Sequence, residues 1–557
     1  MRSKFKVFIL AALAVWYIFQ ARSAINRLSP TYDEPFHLAA GYVMLHNRDY
    51  RYQGLWHPPL AEMLAAAPLK FFSESHRPIL QTVHPAYSRG RNYEFADFFL
   101  YQNRADPERM LRAGRWAIFL FFGPLLIVSL WFLSGLLSSG AAFWSFILLA
   151  LEPNLLAHAT LVTTDYASAV MTLAVFAAAC FYFKHPSRLG AVGFGLALAL
   201  GLLSKYTNGM GLAPLVLFFA LERKRFLAHA AWRAHAAWAA LAFAVVFFVV
   251  YQGSSPGIYA DGFRNLFKQV ERGRSSFFWG RHSNQGWLFY FPAALLLKTN
   301  LPVLAAGLAG AALALIAYRK TRETYLLMAL ILPATSLAMA SFSKVQIGLR
   351  YALSFYPFLI LLGGWALAWI EGRRSPWRWL AAPALLFGFL SVERSSPWFL
   401  AYFNEFAGGP SGGWRYFTDS NNDWGQGLGE LARHVKSQGV DCLYLSYFGT
   451  GDPNYYGLKY VPVGMVSNAQ RTGNSECRPE REKKIYFAVS STNYQATYFA
   501  DRKIFAWLRP LEAEVFLAGS IFLYDLAREP QARQKLAALL ELEGRHEQAQ
   551  GLMAAPY

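Results

Sequence analysis

Residues able to do chemistry gather early in this chain. Thr31-Tyr-Asp33-Glu34-Pro35-Phe-His37 is followed by Tyr50-Arg-Tyr-Gln-Gly-Leu-Trp-His57-Pro58-Pro59-Leu60. Paired carboxylates near an imidazole suit general acid–base work or metal binding. Neighbouring side chains on a helix point about 100° apart, so Asp33 and Glu34 cannot share one role. One should face a reaction and the other should support it. Helix capping explains the same residues: Thr31-x-x-Glu34 fits a capping box, and Pro35 and Pro58 are ordinary first-turn prolines. On this segment alone both readings stand. His57 could donate to an anion or join Asp33 at a metal, and a hydrogen-bonded structural histidine fits it equally.

The elements that must position these groups follow from composition. The chain has 557 residues, 55% hydrophobic and 17% aromatic, with only 16% charged. Soluble chains carry roughly 25% charged residues, so neither a disordered chain nor an ordinary soluble enzyme fits. Three cysteines without a CxxC exclude a zinc ribbon and a dense disulfide scaffold. Apolar runs near the ~20 residues of a membrane crossing recur at 7–22, 113–134, 140–156, 166–183, 189–203, 209–221, 236–251, 290–317, 325–341, 350–370 and 378–394. That pattern predicts an all-α polytopic membrane protein with about eleven crossings. The first run reads as a retained helix rather than a cleaved signal peptide.

Charge placement orients it. With Arg2, Lys4 and Lys6 inside, the cytoplasmic connections hold Lys184 and Arg188; Arg223, Lys224, Arg225 and Arg233; Arg319, Lys320 and Arg322; and Arg373, Arg374 and Arg378. The opposite segments 153–165, 204–208 and 342–349 hold only Lys205 and Lys344. This is the positive-inside pattern of a multi-pass protein of the plasma (inner) membrane, its N-terminus cytoplasmic. Much of the formal +19 charge is then a topology signal, and nucleic acid is an unnecessary partner.

Two segments lie outside in this topology. The first outer loop, 23–112, contains amphipathic stretches at 36–46 and 58–72, expected as helices in the interface plane. They would put Asp33, Glu34 and His57 at headgroup depth. The chain divides into a membrane domain, 1–394, and an extracytoplasmic α/β domain, 395–557. The latter shows a helix at 425–438, strands at 440–447 and 484–490, a strand pair near 514–525, and a helix hairpin of the tetratricopeptide kind at 529–553. That hairpin cannot bury its own apolar face and should pack on this domain or a partner. Cys442 and Cys477 could be bridged outside the cell, but a buried strand thiol and a loop thiol is the preferred reading.

Cations against the charge bias form a short list. Lys205, Lys344 and Arg350 stand at outer helix mouths, Arg115 at the start of a helix on that side, and Lys298 interrupts an apolar run. Ionisable groups at membrane depth are costly and point to function, although Lys and Arg also snorkel freely.

The Asp-Glu pair after the first helix and the His-Pro-Pro-Leu that follows resemble the signature of glycosyltransferase family 39, of the GT-C superfamily. That family includes the protein O-mannosyltransferases, and the lipid A aminoarabinose transferases are close relatives. The resemblance continues through Arg115, Glu152–His158, Thr163-Thr164-Asp165, Ser204–Thr207, Ile347–Tyr351, Tyr402–Glu405 and Asp419–Gln426. This ordered set covers nearly the whole chain. Ala61-Glu62 departs from the Gly-Lys that follows Pro-Pro-Leu in protein O-mannosyltransferases, and the C-terminal domain does not look like their β-trefoil insert. Both departures weaken a protein hydroxyl as acceptor.

The resemblance implies a bacterial membrane glycosyltransferase with a GT-C-like fold. It would move a sugar, with inversion, from a polyprenyl-phosphate donor to an acceptor hydroxyl at the outer face. The acceptor class (glycan, lipid or protein) stays open. Asp33 takes the base role by motif position, with Glu34 second. Arg115, Arg350, Lys205, Lys344, Lys298 and His57 are the candidates for the donor phosphate, with Asp165 and Tyr351 supporting. No cofactor is implied, and a divalent metal is left open. The aromatic run 275–291 is expected to line an acceptor or lipid groove. A lipid-linked sugar transporter or flippase, or a non-catalytic envelope scaffold, are the other classes that fit. A transporter should show internal repeats, and no convincing one is found.

Overall fold

The computed structural model describes all residues except 1, 53–54, 255–256, 374–377, 466–472 and 556–557. Gln53, Gly54 and Arg374, named in the motif and the charge pattern, lie outside the described residues. Among the described residues, seven helices are long and apolar enough to cross a membrane: Lys4–Arg27, Pro107–Leu137, Thr164–Lys184, Trp232–Val250, Leu301–Thr321, Thr324–Phe342 and Phe355–Gly372. An eighth span arises if the bent pair Ala141–Ala150 and Pro153–Ala159 counts as one. Shorter apolar helices fill Arg188–Ser204, Asn208–Leu221 and Trp379–Glu393. All eleven expected runs are therefore helical. The run 290–317 is two helices, Tyr290–Lys298 and Leu301–Thr321, broken at Thr299-Asn300.

Local signals set the starts. Asp106 accepts the Arg109 N–H at 2.7 Å ahead of Pro107, and Ser187 caps Arg188–Ser204 through Gly190 N–H at 3.1 Å. Small residues let the backbones close in. A Cβ on Gly310 would sit 2.0 Å from Leu362 O, so only glycine permits the approach of Leu301–Thr321 to Phe355–Gly372. Basic connections collect at one end of the bundle. Lys184 and Arg225 share a recess there with Glu222 and Glu323, and Lys6 pairs with Glu371 at 2.9 Å.

The first outer loop does form helices, at Glu34–Asn47 and Leu60–Ala66. Their setting differs from the expectation. Glu34 to Met44 are all buried, so this helix is enclosed on every side rather than lying with one face in the interface. The amphipathic helix is Gly257–Arg272, which was not among those expected from the sequence. Its polar face carries Asp261, Arg264 and Lys268, and its apolar face covers the site described below.

Beyond the last helix, residues 399–424 pack into the helical core through Phe399, Leu400, Phe403, Phe417 and Trp424. The boundary drawn at 394 thus precedes a segment shared with the helical domain. A ribbon, β1 (Ser276–Phe278) and β2 (Arg281–Ser283), precedes the five-stranded sheet of β3 (Cys442–Ser446), β4 (Lys459–Pro462), β5 (Tyr486–Ser490), β6 (Val515–Leu517) and β7 (Ile521–Asp525). The sheet order is β4-β3-β5-β7-β6; β3 is parallel to β4 and β5, and β7 is antiparallel to β5 and β6. The sequence reading missed β4. The hairpin Pro530–Leu542 and His546–Ala554 buries Leu536, Leu540 and Leu552 against the sheet. Cys442 and Cys477 are bridged, with Cα atoms 5.6 Å apart, which overturns the preference for two free thiols. β3 and the loop after β4 bring the two buried sulfurs together.

Candidate functional site

Asp33 ends the turn before helix Glu34–Asn47, where its side chain makes no capping bond. It instead accepts the Tyr93 hydroxyl at 3.0 Å and Arg350 Nη1 at 3.0 Å. Glu34 points the other way. Fully buried, it accepts Arg115 Nε at 2.8 Å and Nη2 at 2.6 Å, together with the backbone N–H groups of Thr31 and Val162 at 2.9 Å each. The Thr31 bond is half a capping box; the Thr31 hydroxyl does not supply the other half. The two carboxylates do part, one to a cavity and one to the protein interior.

That geometry corrects two expectations. Arg115 has five N–H groups, and all end on protein oxygens: two on Glu34 and the others on the carbonyls of Ile25, Leu28 and Ser29. None is left for a phosphate. Glu34, its oxygens occupied by Arg115 and backbone, cannot hold an acceptor or serve as a second base. Lys298 is also withdrawn from the list. Its ammonium donates to the carbonyls of Leu400 at 3.0 Å, Tyr402 at 2.9 Å and Asn421, tying the helix break to the 399–424 segment. Lys344 sits beside Gly273, where its carbonyl accepts the Arg274 N–H, and it is not among the cavity walls.

The remaining candidates share one space. A polar chamber of about 260 Å³ is walled by Asp33, His37, Trp56, His57, Tyr93, Asp165, Lys205, Arg274, Arg350 and Tyr351, among others. It adjoins an apolar groove of about 280 Å³, lined by Met210, Leu266, Phe267, Val270, Met339 and Phe342. Lys205, Arg350 and Tyr351 line both. The helix Gly257–Arg272 roofs the pair through Leu266 and Gln269.

Local structure accounts for each group. Asp165 lies in the first turn of Thr164–Lys184 and Lys205 just past the end of Arg188–Ser204, each where the helix dipole favours its charge. They pair directly, and Arg350 Nη1 stands 3.6 Å from the other Asp165 oxygen. Arg350 is held from below. Asn421 accepts the Leu349 N–H at 3.0 Å, Ser420 donates to Ile347 O at 2.8 Å, and the Trp424 ring lies 4.1 Å from the guanidinium. Two motifs distant in sequence thus lock together under one arginine. Its Nε has no partner among the described residues.

Burial pushes the Asp33 carboxyl up, but Arg350, His37, Arg274 and the Tyr93 hydroxyl outweigh it and hold the carboxyl below its usual range. Burial, reinforced by neighbouring positive charge, pushes His57 well below the ordinary imidazole value, so it enters the chamber neutral.

Tyr93, Arg274, His37 and the ring of Trp424 escaped the sequence reading as site residues. Arg274 follows the roof helix on a two-residue strap, and nothing in its local sequence marks it. The aromatic run 275–291 is absent from both walls. It forms the ribbon instead, and Phe278, Tyr290 and Phe417 stack on one another with ring centres 5.1–5.7 Å apart. Among the described residues, no three of His, Cys, Asp and Glu are grouped to hold a metal ion.

No protein-family model and no curated protein matches the chain. Among solved structures, it is similar to ArnT from Cupriavidus metallidurans bound to undecaprenyl phosphate, 14% identical over 92% of this chain and 97% of that one, with a TM-score of 0.48. Apo ArnT from the same organism is 16% identical over 94% and 98%, with a TM-score of 0.46. The apo Archaeoglobus fulgidus oligosaccharyltransferase is 13% identical over 68% and 54%, with a TM-score of 0.40. At these identities and superpositions the likeness does not speak to what the chamber binds.

Proposed function

We propose that the protein is a membrane glycosyltransferase that moves a sugar from a polyprenyl-phosphate donor to an acceptor hydroxyl at the outer face, with inversion. One observation carries the reading: an apolar groove and a charged polar chamber meet at Lys205 and Arg350, and Asp33 lies 3.0 Å from that arginine. An amphiphile with a long apolar chain, a phosphate and a sugar matches that sequence of surfaces. The chain lies in the groove, the phosphate on Lys205 and Arg350, and the sugar beside Asp33. The basic connections at the opposite end of the bundle support an extracytoplasmic chamber.

In this reading the acceptor oxygen attacks the anomeric carbon from the Asp33 side. The bond to the phosphate oxygen breaks, and its electron pair leaves with the polyprenyl phosphate. Lys205 and Arg350 offset the charge that develops there. Asp33, held anionic, accepts the hydrogen bond of the incoming hydroxyl as base and steadies positive charge on the sugar, as carboxylates do in glycoside hydrolysis. Asp165 keeps Lys205 and Arg350 at the junction. A scaffold would not need this convergence.

In reconstituted vesicles, Asp33→Asn should lose at least 100-fold in turnover while binding donor normally. Arg350→Ala should raise the donor KM more than it lowers kcat. Near-normal turnover in Asp33→Asn would remove the reading.

A further inference from the structure

Directly behind Asp33 lies a second acidic device that the transfer step above leaves unused. His37, one helical turn after Asp33, lines the chamber, and its Nδ1 lies 2.8 Å from Glu62 Oε1. Both side chains are at least 97% buried. A carboxylate oxygen can only accept, so Nδ1 carries the proton and Nε2 keeps its lone pair. The bond occupies Nδ1, so Nε2 is the ring nitrogen not committed to Glu62. Glu62 comes from helix Leu60–Ala66, just after Pro59, where the protein O-mannosyltransferase pattern has lysine. Here an acid replaces a cation, and it meets the His37 imidazole.

Resting on the transfer reading, we propose that His37, oriented by Glu62, is the group on which the acceptor's proton comes to rest. Asp33 is drawn low by its neighbours, so it orients the hydroxyl well but holds a proton poorly. An imidazole fixed by a buried carboxylate can take the hydroxyl proton on its other nitrogen, and the carboxylate steadies the imidazolium that forms. The step balances. The acceptor oxygen bonds to the anomeric carbon, the phosphate oxygen departs with the electron pair, and the hydroxyl proton, drawn off by Asp33 as base, passes on to Nε2. The charged and titratable groups around His37 are Glu62 from its own short helix, Asp33 at the head of the same helix, His57 with ring centres 5.0 Å apart, and Lys205 with Asp165 across the chamber.

The test is a pH profile of kcat in vesicles with a polyprenyl-phosphate sugar. His37→Gln should lose 100- to 10,000-fold in turnover, keep the donor KM, and lose the acid limb of the wild-type profile. Glu62→Gln keeps an oxygen for Nδ1–H but removes the negative charge. Its acid limb should move down by about one pH unit, with donor KM unchanged. This second variant decides the matter should His37→Gln not fold. Turnover of His37→Gln within threefold of wild type, or an unmoved limb in Glu62→Gln, would overturn the assignment. A wild-type protein that transfers no sugar at all would overturn the transfer reading instead.

Discussion

A guanidinium whose every N–H ends on a protein oxygen has nothing left to offer a ligand, and a cation with an unfilled donor does. That distinction separates Arg115 from Arg350. The Glu34–Arg115 pair is a buried joint linking the first helix, helix Glu34–Asn47 and helix Pro107–Leu137. Removing one partner of such a pair costs about 3–5 kcal/mol. Arg115→Leu should therefore lower the thermal midpoint by many degrees in detergent, while Arg350→Ala, a change at the chamber wall that leaves Asp165 paired with Lys205, should lower it by clearly less; equal midpoints in both variants would contradict the division. The sequence shows that Asp33 and Glu34 must diverge, because adjacent helical side chains cannot converge. It cannot show which faces the cavity, because that depends on Arg115 and Arg350, which lie far along the chain. For the same reason Lys298 looks like a ligand in sequence and proves to be a brace.

At the scale of elements, apolar length made the bundle legible and contact order hid its refinements. Every expected span is helical, though 140–156 and 290–317 are each two helices, and the break at Thr299-Asn300 is set by carbonyls from residues 400–421 and leaves no local mark. The roof helix is the clearest omission. Its apolar face is far more sharply divided from its polar face than that of helix Glu34–Asn47, yet the chain offers no sign that it crosses the chamber. Its seat depends on one small residue: a Cβ on Gly262 would lie 1.9 Å from the Tyr206 hydroxyl. Gly262→Leu should displace the roof, raising the donor KM at least tenfold with little change in the melting of the bundle. A donor KM within twofold of wild type would show that the roof does not shape the groove.

Across the whole molecule, the segment that leads into the C-terminal sheet domain braces the site from behind. Its residues 419–426 support Arg350 from beneath and receive the end of the first helix, with the Tyr32 N–H donating to Trp424 O at 2.8 Å. Four of the five strands of this sheet were readable as apolar runs, whereas β4 and the disulfide were not, since spacing in sequence does not fix Cα separation. Asp423, fully buried between this segment and Thr492, has its carboxyl pushed up by burial to about 7. An acid raised above its unfolded value binds a proton more readily in the folded state, so its share of stability falls as pH rises from about 4 through 7. Asp423→Asn should remove that slope. Relative to wild type, the variant should gain thermal stability from pH 5 to pH 8, and a constant difference across that range would contradict the assignment.

The direct test of the central claim is a structure of the protein with a polyprenyl phosphate in lipid nanodiscs. The account predicts phosphate oxygens within hydrogen-bonding reach of Lys205 and Arg350, and isoprene units running between Met210 and Phe342 beneath the roof helix. A phosphate bound at the basic end of the bundle, or a chain lying outside that groove, would contradict it.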